Sequence, residues 1–139
     1  ETHPQPPLLP QDAAGRAHVR ELALMIACDV HPLANLRVLR HLTGAMGLSE
    51  DAKNAWYTHW VAEGLAAIET RLAHSQDTGN FCHGDTPTMA DCLLVPQVFN
   101  AVRFKMDMSA YPTIMRIDAA CAALPAFAEA HPSRQPDAE

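Results

Sequence analysis

The stretch that most constrains this chain is "GDTPTMADCLLVPQVFNAV", residues 84–102. Turn residues lead into Thr88, and Asp91 follows three positions later. That is the spacing of a capping box, in which a hydroxyl and a carboxylate satisfy the first free N–H groups of a helix. Met89, Ala90, Cys92, Leu93, Leu94, Val95, Val98, Phe99 and Val102 then leave almost no polar face. A helix apolar all round is enclosed by other elements, so the pattern predicts a central helix packed on all sides. Burial also gives the cap its weight: a helix start inside protein cannot leave its N–H groups to water, and losing Thr88 should cost about 1–2 kcal/mol. Thr88 and Asp91 are therefore read as a structural cap without chemistry of their own.

The rest of the chain supplies the helices to surround it. The segment "THPQPPLLPQD" has four prolines in eleven residues, so it runs extended, and residues 1–11 read as a linker. From Asp12, a plausible N-cap, Val19, Leu22, Met25, Ile26, Leu33, Leu36 and Leu39 recur at helical spacing as far as Gly44. This predicts one long first helix kinked at Pro32, where a donor is lost and the carbonyl of Cys28 is crowded. Ser49, Glu50 and Asp51 start a second helix whose stripe is Trp56, Trp60, Gly64, Ile68 and Leu72, with Gly64 marking a close approach. Pro112 opens a further helix carrying Ile114, Ile117, Cys121 and Leu124, which Pro125 ends. No segment alternates like a strand, so residues 12–139 are expected to form a single all-α domain, a helical bundle.

Composition narrows the function. The 139 residues carry a net charge of −6, and the Lys and Arg residues are scattered, so a nucleic-acid partner is not expected. No apolar stretch approaches the roughly twenty residues of a membrane span, and a membrane role and a secretion signal are likewise not expected. Cys28, Cys82, Cys92 and Cys121 lack zinc-ligand spacing and are expected to be free and mostly buried thiols, while the eight histidines form no tract, so no metal site is expected.

The capped start "GDTPTMAD" resembles the carboxy-terminal domain of the glutathione transferases. Two further stretches, "DVHPLANLRVL" (29–39) and "LVPQVFNAVRFKMDMSAYPTI" (94–114), resemble the zeta class of that family, the maleylacetoacetate and maleylpyruvate isomerases, and the tail "HPSRQPDA" is similar too. The resemblance implies that residues 1–11 connect to a thioredoxin-like amino-terminal domain, whose serine- and cysteine-containing motif activates glutathione and is absent from these residues. It implies glutathione as cofactor and a glutathione-dependent cis–trans isomerisation in aromatic catabolism, in a cytoplasmic homodimer. The thiolate adds to a conjugated double bond, the bond rotates, and the thiolate leaves. Maleylacetoacetate is the favoured substrate, with maleylpyruvate isomerisation or general transferase activity as alternatives. A docking domain without catalysis is the rival of another class. This chain alone is expected to be inactive.

What a helical half can contribute is fixed positive charge and hydrogen-bond donors for a doubly acidic molecule. His31 and Asn35 are four residues apart beside the Pro32 kink and so share a helix face. By resemblance His31, Asn35, Leu36 and Arg37 match glutathione-binding positions, and Arg103, with Arg37, matches substrate binding. Guanidinium suits that role because its planar donor fork fits a carboxylate and keeps its charge. Where relatives can carry two adjacent arginines, this chain has Leu36 and then Arg37.

Overall fold

The computed structural model describes residues 2 and 4–138. Among them there is no strand; the elements are helices, joined by short turns and one longer loop. They run α1 (Ala13–Leu24), a π-helical turn (Met25–Val30), α2 (His31–Ala34), α3 (Leu36–Thr43), α4 (Glu50–His74), α5 (Met89–Arg103), α6 (Pro112–Ala122) and α7 (Pro125–Ala130).

The starts fall where local chemistry puts them. The Asp12 carboxylate accepts from the Gly15 N–H at 2.7 Å, and the Ser49 hydroxyl accepts from the Ala52 N–H at 3.2 Å. Thr88 and Asp91 form the capping box of α5. Asp91 does more than close that box. One of its oxygens accepts from the Thr88 N–H at 2.7 Å and from the Thr88 hydroxyl at 2.8 Å, and the other accepts from the Cys82 N–H at 2.8 Å. The first N–H of α5, from Met89, goes to the Leu8 carbonyl at 2.8 Å, so the proline-rich segment lies against the helix start. At α6 a remote carboxylate caps the helix: Glu69, on α4, accepts from the N–H groups of Thr113 and Ile114, each at 2.9 Å.

The core is built between α1, the π turn, α4, α5 and α6. Val19, Val61, Leu65, Leu94, Ile114, Ile117 and Cys121 are among its buried members. Gly64 behaves as its place in the stripe suggested, since a Cβ added there would lie 2.2 Å from Val30 Cγ2 on the π turn.

Five expectations are corrected by the structure. The first helical run is not broken at Pro32 itself, and the chain stays helical through it. The chain widens into a π turn before the proline, with the His31 N–H bonding back to the Ile26 carbonyl, and Pro32 follows in the first turn of α2. The break comes at Asn35, whose extended backbone (ψ 157°) ends α2 and caps α3.

The buried stripe of α4 is Tyr57, Val61, Leu65, Ile68 and Leu72, not the tryptophans. Trp56 and Trp60 are half-buried on its flank, and the Trp56 indole N–H reaches the Leu33 carbonyl at 2.9 Å.

Helix α5 packs against α1 and α6, but it is not enclosed on all sides, because Cys92, Pro96, Val102 and Arg103 are exposed. Pro96, with no N–H to donate, lies on that open face. The thiols divide for the same reason: Cys82 and Cys121 are buried, whereas Cys28 and Cys92 are exposed.

Finally, the run Ala13–Thr43 contains a window of mean hydropathy 1.4, apolar and long enough by composition to cross a bilayer. In the fold its apolar side, Val19, Leu22, Ile26 and Val30, packs into the core, and Asn35 interrupts it.

Candidate functional site

The break at Asn35 shapes a cleft. Because α2 stops and α3 starts in a new direction, the two helices and the α4 start form one side, and the C-terminal half of α5 forms the other. The cleft measures about 440 Å3, and His31, Asn35 and Leu36 line it from one side and Arg103 from the other. Four of the five ligand-binding positions singled out in the sequence therefore share one hollow. Arg37 is exposed and does not line it; the arginine one turn further along α3, Arg40, does. Lys53, Tyr57, Gln97 and Asn100 also line the cleft and went unnoticed in the sequence. For Gln97 and Asn100 a usable signal existed: besides Asp91 and Arg103, they are the polar positions of an otherwise apolar helix.

Each side chain is held differently. Asn35 is largely occupied with backbone, because its Oδ1 accepts from the Val38 N–H at 3.2 Å and its Nδ2 donates to the Pro32 carbonyl at 3.0 Å. An amide oxygen has two lone pairs and an amide nitrogen two hydrogens, so one of each remains for a ligand. The His31 ring has no hydrogen-bond partner among the described residues and is exposed at the cleft edge. The Arg103 guanidinium stands 5.9 Å from the centre of the Phe104 ring, which stacks on Tyr57 with centroids 3.7 Å apart.

Electrostatically the hollow departs from the acidic whole. It is lined by Arg40, Lys53 and Arg103 against one carboxylate, Glu50, which pairs with Lys53. Burial pushes the Tyr57 phenol up to about 12, although the nearby Arg103 charge pulls the other way, so the hydroxyl is protonated at neutral pH. The Tyr57 hydroxyl and the Gln97 amide nitrogen are buried without a partner among the described residues. The site thus offers positive charge and neutral donors, the complement of an anion rich in acceptors.

It offers no thiol among its lining residues. None of the four thiols lines the cleft, and desolvation raises the pKa of Cys82, Cys92 and Cys121, Cys121 to about 12, with the Asp91 charge adding to the effect in each. A thiol is reactive as thiolate, and these are held in the opposite state.

The chain is similar to known proteins along nearly its whole length. Residues 51–133 match the family described as glutathione S-transferase, C-terminal domain. The chain is 49% identical to a probable maleylacetoacetate isomerase of Vibrio cholerae over 99% of its own length and 63% of that protein's. It is also 49% identical to a maleylpyruvate isomerase of a Ralstonia species, again over 99% of this chain and over 65% of the relative. The chain thus spans somewhat less than two thirds of these relatives. Among solved structures, a bacterial maleylpyruvate isomerase described as a zeta-class glutathione S-transferase superposes with a TM-score of 0.96 at 48% identity, over 99% of this chain and 65% of that one. The maleylacetoacetate isomerase of Anaeromyxobacter dehalogenans, solved with glutathione in its active site, gives 0.91 at 48% identity over 99% of this chain and 62% of that one. An all-helical bundle with a capped central helix, matched along nearly its whole length by such proteins, belongs to the glutathione S-transferase family as the C-terminal domain of its zeta class.

Proposed function

We propose that this chain is the helical half of a glutathione-dependent cis–trans isomerase, acting on maleylacetoacetate or a closely similar unsaturated dicarboxylate such as maleylpyruvate. The observation that carries the reading is the meeting of His31, Asn35, Leu36 and Arg103 in one cationic hollow. The donor set fits glutathione: the peptide carries two carboxylates and several amide acceptors, and the hollow presents Arg40, Lys53, Arg103 and a free histidine ring.

When bound, glutathione supplies the thiol whose reversible addition lets a conjugated double bond rotate. The residues here do the holding. Arg103 clamps a substrate carboxylate and offsets the negative charge that develops on the adjoining carbonyl oxygen. His31 and the spare hydrogen of Asn35 donate to glutathione, with Leu36 packing beside them. Tyr57 stays neutral and takes no part as a base. Activation of the thiol falls to a thioredoxin-like domain joined through residues 1–11, so the chain by itself is inactive, and the complete enzyme works as a cytoplasmic homodimer.

The test is turnover of maleylacetoacetate and of maleylpyruvate by the full-length protein, with and without glutathione. Glutathione-dependent isomerisation of either is expected, and its absence for both overturns the reading. Arg103→Ala should lower kcat/KM by roughly ten- to a hundredfold, the worth of a lost charged contact of about 1.5–3 kcal/mol, with the fold intact by circular dichroism. An unchanged kcat/KM removes Arg103 from the site.

A further inference from the structure

On the side of α1 that faces the loop after α4, three potential metal ligands converge although they lie far apart in sequence. Ligand atoms of His18, Asp77 and His83 all lie within 4.8 Å of one another. His18 is buried, 6% exposed, and its ring is set by α1 and α4 together: Nδ1 takes a hydrogen bond from Arg71 Nη2 at 3.0 Å, and Nε2 is turned toward the loop, 3.5 Å from Ser75 Oγ. The loop is closed on itself. The Gly84 N–H bonds to the Asp77 carbonyl at 2.8 Å and the Phe81 N–H to the Gly84 carbonyl at 3.1 Å, which holds Asp77 and His83 beside each other at the loop's mouth. The rings of His18 and His83 stand 5.6 Å apart.

A second observation points to a missing partner. His83 Nδ1 is buried and has no hydrogen-bond partner among the described residues. Buried polar atoms are nearly always satisfied, and an orphaned nitrogen on one of three converging ligand residues is what a site for a bound ion leaves.

We propose that His18, Asp77 and His83 form a divalent transition-metal site of the zinc class. Two imidazoles and a carboxylate are the donor set that suits zinc, and they leave a fourth position to water. The ligand atoms need to draw in by about an ångström to reach the usual zinc distances of about 2.0–2.2 Å. Asp77 is exposed and His83 only half-buried, so both side chains have room to do so. Surrounding charge is balanced. Arg71 is the near cation, but it is engaged by Glu21 through two bonds of 2.9 Å, and Asp12 adds negative charge close to His83. Metal on His18 Nε2 requires the ring proton on Nδ1, so Arg71 Nη2, which donates there at 3.0 Å, turns away and leaves Glu21 Oε2, 3.6 Å from Nδ1, to draw in as the acceptor. A histidine ligand backed by a carboxylate is the usual outer arrangement of such sites. The ion would pin the loop to α1, just ahead of the α5 cap, and this assignment is independent of the isomerase reading.

The experiment is calorimetric titration of chelator-treated protein with Zn2+, repeated with the variants His83→Ala and Asp77→Asn, and with His74→Ala as a surface-histidine control. One saturable equivalent is expected, with a rise in the melting temperature as ligand linkage requires. Each loop variant should bind roughly tenfold or more weakly, and His74→Ala should bind like the unaltered protein. Asp77 is exposed, so its variant tests the site without disturbing the core. Co2+ substitution should give an absorption spectrum without a thiolate charge-transfer band. No saturable binding, binding unchanged in both loop variants, or a thiolate band each overturns the assignment.

Discussion

Single residues in this protein carry more than their side-chain chemistry, because several sit where two elements nearly touch. Gly64 is the sharpest case: the π turn comes so close that a methyl group would lie 2.2 Å from Val30 Cγ2. Gly64→Ala should destabilise the fold by about 1–3 kcal/mol through overpacking, despite a helix-propensity gain of about 1 kcal/mol. Denaturant melts would check this, and Val30→Ala in the same chain should recover part of the loss. Asp91 is fully buried and gathers three donors from two segments. Asp91→Ala leaves the N–H groups of Cys82 and Thr88 without acceptors and should cost about 3 kcal/mol or more, against about 1–2 kcal/mol for Thr88→Ala. Equal losses in the two melts would show that Asp91 does no more than close the box.

Among the elements, α6 has its start secured by a side chain of another helix. Its first N–H groups bond to Glu69, on α4, and a helix terminus without such partners frays. Glu69→Ala should cost about 1–3 kcal/mol and speed amide exchange in the first turn of α6 far more than in α4, which hydrogen-exchange mass spectrometry resolves residue by residue. The helix starts at Asp12, Ser49, Thr88 and Pro112 were legible in the sequence, because a cap or a first-turn proline is local chemistry. The break at Asn35 was not. Pro32 is the stronger local signal, yet the chain stays helical through it after the π turn and the break falls at Asn35. That choice depends on how the π turn packs against Gly64, a contact more than thirty residues away. The same gap explains Arg37 and Arg40. Both lie on α3, and only the direction that α3 takes after Asn35 decides which of them faces the cleft.

For the molecule as a whole, Asp118 is the acidic residue whose raised pKa links stability to pH in the direction opposite to Asp12, Glu21 and Asp107, which are lowered. Asp118 is half-buried, and desolvation raises its carboxyl pKa above 3.8. The folded state therefore holds this proton more tightly than the unfolded chain. Its contribution to stability is full below pH 3.8, is lost as pH rises through the raised value, and stays absent at neutral pH. Asp118→Asn should raise the unfolding midpoint near neutral pH and leave it nearly unchanged in acid; the reverse pattern would contradict the assignment. By itself the sequence determined the all-helical class, most of the helix starts, the capped buried helix and the residues suited to an anion, since all of these follow from local spacing and side-chain chemistry. Tertiary structure alone decided which face of α5 stays open, that Tyr57 and not the tryptophans enters the core, which arginines meet His31, and that His18 and His83 stand together. Those outcomes are set by contacts between residues distant in the chain, whose energies depend on how the helices cross and not on what lies next to each residue along it.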